Sequence, residues 1–218
     1  MDNYMSDWLI SSSVNELKDK INLFETVYGI PKKFITQKIN CDQLINKKTH
    51  DYDIIYGDMF TISQKIIGKI AIVNAANSDG LGCFNPIHKC IDNQLHRYEG
   101  PRLRLLLNQL PIINNKRINI ADSIVTQTFR LNIDYVIHTV APDCSNKKPD
   151  NIDWNNLIKC YDNCIKIADT LNLDYIIFPA LGTGIFGFPK KESSIYVHNY
   201  LKQSFLNRKV RVILCIYS

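Results

Sequence analysis

The chain has 218 residues, 45% hydrophobic and 22% charged, the balance of a globular protein with a real core and not of a disordered or fibrous one. No apolar run approaches the roughly 20 residues that span a bilayer, and the opening MDNYMSDWLI lacks the basic-then-apolar pattern of a secretory signal, so a soluble cytoplasmic protein with no membrane partner is expected. Seven cysteines in a chain of this size do not make a secreted disulfide framework, and the formal charge of +5 is spread over pairs such as Lys32-Lys33, Lys147-Lys148 and Lys190-Lys191, with no patch or stripe that would call for nucleic acid.

Residues 13–27 carry a helical pattern. Ser13 and Glu16 have capping-box spacing, and Val14, Leu17, Ile21, Phe24 and Val27 form one apolar stripe. Gly29 and Pro31 end it, and a weaker helical stretch follows to about Leu44. Asn46–Asp51 is polar and reads as a loop, so residues 1–50 are taken as a helical extension and 51–218 as the main domain. From Tyr52 on, short β-rich runs alternate with helical ones. The strand candidates are 52–56, 69–74, 123–129, 134–140, 174–180 and 210–217; the helical ones are 86–98, 102–109, 154–171 and 190–206. Runs such as IAIV and YIIF are apolar throughout, as in strands buried on both faces. The alternation predicts an α/β protein: a mixed, mainly parallel central sheet between two layers of helices. Cys160 and Cys164, one turn apart, share a helical face and read as core packing.

In such sheets ligands gather at the carboxyl ends of the strands, and three of those ends carry unusual residues. YGDMF places Asp58 and Met59 after the first strand. Asp58 is either an N-cap or an acceptor for an exocyclic amine such as N6 of adenine. NAANSDGLGCF (74–84) follows the second strand with two asparagines, small residues and glycines. Such a loop lets backbone approach a ligand closely, and Asn74 and Asn77 offer donors and acceptors suited to ribose hydroxyls. PALGTGIFGFP (179–189) lies between a buried strand and a helix and can cradle an anion. It lacks the lysine of a Walker A loop, and no GxGxxG opens the first strand–helix turn.

The segment LGCFNPIHKCIDNQLH (81–96) crowds two cysteines and two histidines together. Cys83, His88 and Cys90 are good zinc ligands, and three protein ligands leave a fourth position open, as catalytic sites do. His88 and Cys90 are two residues apart, so a regular helix would point them in different directions. An irregular stretch over Pro86–Lys89, with the helix proper starting near Cys90, is therefore predicted.

Taken in order, NAANS with GCF, HRYEG, VIHTVAP and FPALGTGIFGFP resemble the macrodomain family over about residues 52–217. The resemblance implies a three-layer α/β/α macrodomain that binds ADP-ribose. It implies an adenine contact at Asp58, a ligand contact at Met59, and ribose contacts at Asn74 and, more directly, Asn77. A diphosphate and ribose loop falls at Gly182, Thr183, Gly184, Ile185 and Phe186, and an aromatic on adenine at Tyr217. Where common macrodomains have a glycine run, this chain has the Cys83–His88–Cys90 pattern followed by Ile91-Asp92-Asn93. That departure resembles the zinc-dependent macrodomain subgroup, which also carries a helical region before the macrodomain.

That second resemblance implies a zinc-dependent, glycosidase-type hydrolase. It would remove mono-ADP-ribose from O-linked Asp, Glu or Ser side chains, with Asn77 and Asp92 as candidate catalytic residues. It also implies an ADP-ribosylated protein substrate and, as a partner acting on the same substrate, a sirtuin-like ADP-ribosyl transferase. Asp92 can orient water or a ribose hydroxyl, or it can simply sit in the first turn of a helix, where the macrodipole favours an acid. His96 and His138 read as structural. Two alternatives stay open: a non-catalytic ADP-ribose reader, and a hydrolase of a small derivative such as O-acetyl-ADP-ribose.

Overall fold

Alternation along the apolar strands sorts the core into two layers. In the strand Ile70–Ala75, Ala71 and Val73 face one layer of helices, while Ile70 and Ile72 face the other. The structure, a computed structural model, describes residues 38–49, 51–85 and 87–217. Its strands are β1 (Lys47–Lys48), β2 (Asp53–Tyr56), β3 (Ile70–Ala75), β4 (Ser123–Gln127), β5 (Tyr135–Thr139), β6 (Tyr175–Phe178) and β7 (Arg211–Ile216). Among the described residues these form one seven-stranded sheet in the order β1-β2-β7-β6-β3-β5-β4. The five central strands run parallel; β1 and β4, at the edges, are antiparallel to their neighbours. This is the mixed, mostly parallel sheet that the β/α alternation predicts.

One face is covered by α4 (Asn151–Thr170) and α5 (Lys190–Ser204). Leu157, Cys160, Tyr161 and Cys164 of α4 meet Val73, Ile137, Ile176 and Phe178 of the sheet. The expected core role of Cys160 and Cys164 holds, since neither has any exposed surface. The other face is covered by α1 (Met59–Ser63), α2 (Ile91–Glu99) and α3 (Pro101–Asn108). Phe60, Leu95, Leu103 and Leu107 pack there on Ile72, Val136, Ile177 and Ile213. No helix among the described residues is long and apolar enough to cross a membrane.

The segment before Tyr52 departs from the expected helix and loop. The helical pattern at 13–27 lies outside the described residues. In the described part of the weaker stretch, Ile39 forms a parallel bridge with Ile66, and only a single 3-10 turn, Cys41–Gln43, follows. Asn40 caps that turn through its side chain, and Cys41 is fully buried in the α1–α3 layer. Within the polar 46–51 stretch, Lys47 and Lys48 pair with Ile54 and Asp53 as edge strand β1. Residues 38–49 thus complete one edge of the sheet. Their backbone hydrogen bonds go to β2 and to the α1–β3 connection, which outweighs a weak local helical preference.

Candidate functional site

The parallel strands deliver their carboxyl ends to one edge, and the predicted loops collect there. β2 and β7 pair up to Tyr56 and Ile216, so Asp58 and Tyr217 leave the sheet from neighbouring strands. Tyr217 is 77% exposed. Asp58 caps α1, its carboxylate accepting from the Phe60 and Thr61 amides at 3.3 and 3.0 Å and from the Thr61 hydroxyl. Met59 turns its side chain into the core, so only its main chain is left to meet a ligand.

After β6, the glycine loop folds back on β5's exit. Gly182 and Gly187 have φ of +73° and +70°. A Cβ on Gly187 would lie 2.8 Å from the Cys144 carbonyl oxygen, and one on Gly182 would lie 2.8 Å from the Phe188 ring. Both positions therefore exclude a side chain. Thr183 spends its hydroxyl on the Ala180 carbonyl at 2.9 Å. Gly184 and Ile185 are exposed, and a Cβ on Gly184 would meet nothing within 4 Å. Phe186 is half-buried and packs on Ala76, Ile118 and Val140, which brings this loop against the asparagine loop. Behind it, Trp154 of α4 stacks on Tyr196 at 4.3 Å and meets the Phe188 ring edge-on at 5.1 Å.

The asparagine loop splits its two amides. Asn77 is half-buried; its Oδ1 accepts from the Gly80 amide at 3.0 Å. Among the described residues its amino group has no partner. Asn74, the penultimate residue of β3, is buried. Its Nδ2 lies 2.8 Å from Asp92 Oδ1 and 3.1 Å from His138 Nδ1. Asp92 is 4% exposed. Burial pushes its carboxyl above the usual range, opposed by the Asn74 hydrogen bond, the Arg104 charge and the Cys83 amide. It therefore lies beneath the loop and not in the open cleft. His96, one turn on, is 3% exposed with Nε2 3.5 Å from Asp92 Oδ1, and burial lowers its pKa to about 4. His138 is buried and neutral, pulled down to about 3 by desolvation and by the nearby His96.

Cys83, His88 and Cys90 come together. One ligand atom from each lies within 4.8 Å of the others, and Cys83 Sγ is 3.3 Å from His88 Nδ1. Sulfur and nitrogen at ordinary zinc distances span a tetrahedral edge of about 3.6 Å, so Cys83 and His88 already stand close to the separation zinc needs. Residues 87–90 are irregular, and α2 starts at Ile91 with Cys90 as its N-cap, its Sγ accepting from the Asn93 amide at 3.4 Å. Burial pushes the Cys90 thiol up, the Asn93 amide opposes this, and the neighbouring Cys83 adds to the rise. A bound cation would reverse that balance and favour the thiolate.

Two residues to which sequence reasoning assigned no role, Arg104 and the motif residue Asn93, hold this loop. Arg104 of α3 donates to the Leu81 carbonyl and, at 3.1 Å, to the Cys83 carbonyl, and it lies 4.1 Å over the Phe84 ring. Asn93 donates through Nδ2 to the carbonyls of Cys83 and Asn85 at 3.1 and 2.8 Å. Their partners are backbone carbonyls ten or more residues away (eight for Asn85), which leave no trace in residue identity.

The Macro domain family profile matches residues 73–196, more than half of the chain. The chain belongs to the macrodomain family. A Staphylococcus aureus protein (strain MRSA252) named Protein-ADP-ribose hydrolase is 34% identical over 175 residues, covering 77% of this chain and 65% of that protein. The chain thus spans just under two thirds of the length of that relative. Among solved macrodomains, a single-residue variant of the Oceanobacillus iheyensis protein is 26% identical, with a TM-score of 0.64 over 78% of this chain and 83% of that one. A Trypanosoma brucei macrodomain in complex with ADP shares the fold, with a TM-score of 0.68 and 19% identity over 97% of this chain and 88% of its own.

Proposed function

We propose that this chain is an ADP-ribosyl hydrolase that releases mono-ADP-ribose from O-linked Asp, Glu or Ser side chains, with zinc at Cys83, His88 and Cys90. One observation carries the reading: the order of the candidate contacts along a single sheet edge. Asp58 and Tyr217 stand at the ends of β2 and β7, the glycine loop follows β6, and the asparagine and cysteine loop follows β3. β2 and β3 are three strand spacings apart, about 14 Å, and the sequence along that span is adenine, diphosphate, ribose, scissile bond. The name of the Staphylococcus aureus relative supports the same activity.

Hydrolysis forms a bond between a water oxygen and C1 of the distal ribose. It breaks the bond from that carbon to the side-chain oxygen and moves one proton to the leaving group. Zinc held by the two sulfurs and the imidazole would supply Lewis acidity beside the ribose. The chain's own residues do the rest. Gly182–Phe186 present main-chain amides to the diphosphate, where a side chain at Gly184 would intrude. The Asn77 amino group orients a ribose hydroxyl. Asp92, raised by burial and so a stronger base than a surface carboxyl, would accept a hydrogen bond and then a proton from the attacking water once ligand binding shifts the loop that covers it.

A second reading, an ADP-ribose reader without turnover, is favoured by one fact: Asp92 is covered by its own loop and already satisfied by Asn74. Protein carrying ADP-ribose on Asp, Glu or Ser separates the two. Release of ADP-ribose is measured with metal-loaded, chelated and reloaded chain. Loss on chelation with recovery on adding zinc is expected. Full activity without metal would overturn the zinc assignment. Tight ADP-ribose binding with no release from any linkage would establish the reader.

A further inference from the structure

Below the site, a buried polar chain crosses three strands. Thr126 of β4, His138 of β5 and Asn74 of β3 are linked side chain to side chain, and Asn74 passes the link to Asp92 of α2. His138 and Asn74 are register partners on adjacent parallel strands, so their side chains share a face. His138 is 1% exposed, and its Nε2 lies 2.9 Å from Thr126 Oγ1. None of these contacts is needed to close the sheet, and a buried imidazole is costly where an aliphatic residue would pack.

The hydrogen-bond roles follow from donor and acceptor inventory. Asn74 Nδ2 is a donor with two hydrogens, and it faces two acceptors, Asp92 Oδ1 and His138 Nδ1. His138 Nδ1 must then carry a lone pair, which puts the ring proton on Nε2, donating to Thr126. Turning the Asn74 amide over would set its oxygen against the Asp92 carboxylate and would require the ring proton to move to Nδ1. A ring protonated at Nε2 therefore supports the one amide orientation that gives Asp92 its hydrogen bond.

We infer that His138 is a positioning residue: through Asn74 it fixes the orientation of the Asp92 carboxylate beside the proposed metal loop. The inference rests on the hydrolase reading of Asp92. It assigns work to a histidine that touches neither ligand nor metal donors.

Two substitutions divide the ring's two nitrogens. In His138→Asn the side-chain oxygen takes the place of Nδ1 and still accepts from Asn74. In His138→Gln the longer amide takes the place of Nε2, reaching Thr126 and abandoning Asn74. Kinetics of ADP-ribose release should show kcat falling about tenfold or more in His138→Gln with KM little changed, a loss in the range expected for a misplaced catalytic group. His138→Asn should stay within about threefold of wild type, a rescue that a purely structural role does not give. Thr126→Val, a milder change, should shift the ring's tautomer balance and lower kcat without altering KM. Equal losses in the Asn and Gln variants, tracking their stability, would overturn the inference.

Nitrogen-15 spectra of the holo protein supply a readout independent of turnover. Wild type should show His138 protonated at Nε2 only, and the Asn74 amide resonances should move in the Gln variant but not in the Asn variant. A proton on Nδ1 would overturn the inference. If wild type releases no ADP-ribose, the hydrolase reading fails by itself, and these spectra still decide whether His138 orients Asn74.

Discussion

Gly82→Ala is the sharpest test of how the cysteine loop is seated. Gly82 has φ of +80°, and a Cβ there would lie 2.1 Å from His96 Cδ2, 2.3 Å from Nε2 and 2.6 Å from Cγ. Carbon atoms in contact normally sit about 3.5–4.0 Å apart, so the overlap is well over an ångström. The ring cannot swing clear, because His96 is 3% exposed and its Nε2 already lies 3.5 Å from the buried Asp92 carboxylate. Left-handed backbone costs a side-chain-bearing residue about 1–2 kcal/mol, and overpacking adds about 1–3 kcal/mol. Together they predict a loss of about 2–5 kcal/mol, read as a lower urea midpoint at unchanged m-value. Gly184→Ala is the control: its Cβ meets nothing within 4 Å and its backbone is not left-handed, so its midpoint should stay within about 0.5 kcal/mol of wild type. Equal midpoints for the two variants would refute the packing of this loop on His96.

The same Gly184→Ala protein should bind ADP-ribose at least about tenfold more weakly by calorimetry if the loop's main chain approaches the diphosphate; unchanged affinity would remove that loop from the site. Glu99 is fully buried and accepts from the amides of Phe129, Arg130 and Leu131 at 2.5 to 3.2 Å. Glu99→Ala strands those donors and should cost about 3–5 kcal/mol in urea unfolding; a loss under about 1 kcal/mol would contradict it. For pH dependence, His138 and His96 have folded pKa values near 3 and 4, below their ordinary 6.5. The unfolded chain takes up their protons first, so stability present above pH 6.5 drains away as pH falls, by about 2 kcal/mol per histidine at pH 5. Asp92, shifted up, offsets part of this. Urea midpoints between pH 7.5 and 5 should therefore fall, with a shallower slope in His138→Gln; a flat wild-type profile would sink the buried neutral assignment. Finally, His88→Ala and Cys90→Ser should each lower zinc affinity by at least about a hundredfold, measured by competition with a chelating dye. A wild-type affinity retained in both would disperse the proposed donor set.

How much of this was readable in advance depended on how local the cause was. β3, β5, β6 and β7 were legible because burial on both faces leaves almost no polar residue in runs such as IAIV and YIIF. The start of α2 was legible because two ligands at His88 and Cys90 cannot share a regular helix. β1 was not, since Lys47 and Lys48 are held only by their pairing with Ile54 and Asp53. Cys41 and Ile39 looked like part of an extension because their contacts, across the sheet edge and with Ile66, are remote in sequence. Within the site the residue types were readable and their exposure was not. Asn74 and Asp92 belong to the right loop and helix, yet they bond to each other in the interior, and the arginine that pins the loop comes from a helix whose sequence, PRLRLLLN, shows only an amphipathic pattern.

Cys83, His88 and Cys90 belong to neither apolar layer of the domain. Arg104 and Asn93 already clasp the backbone around them from their own helices. A scaffold so arranged would stay assembled whether the proposed ion is present or withdrawn. On the proposed zinc reading, ADP-ribose release would follow the supply of free zinc, silenced by scarcity and restored on replenishment, without any chain having to be made or folded again.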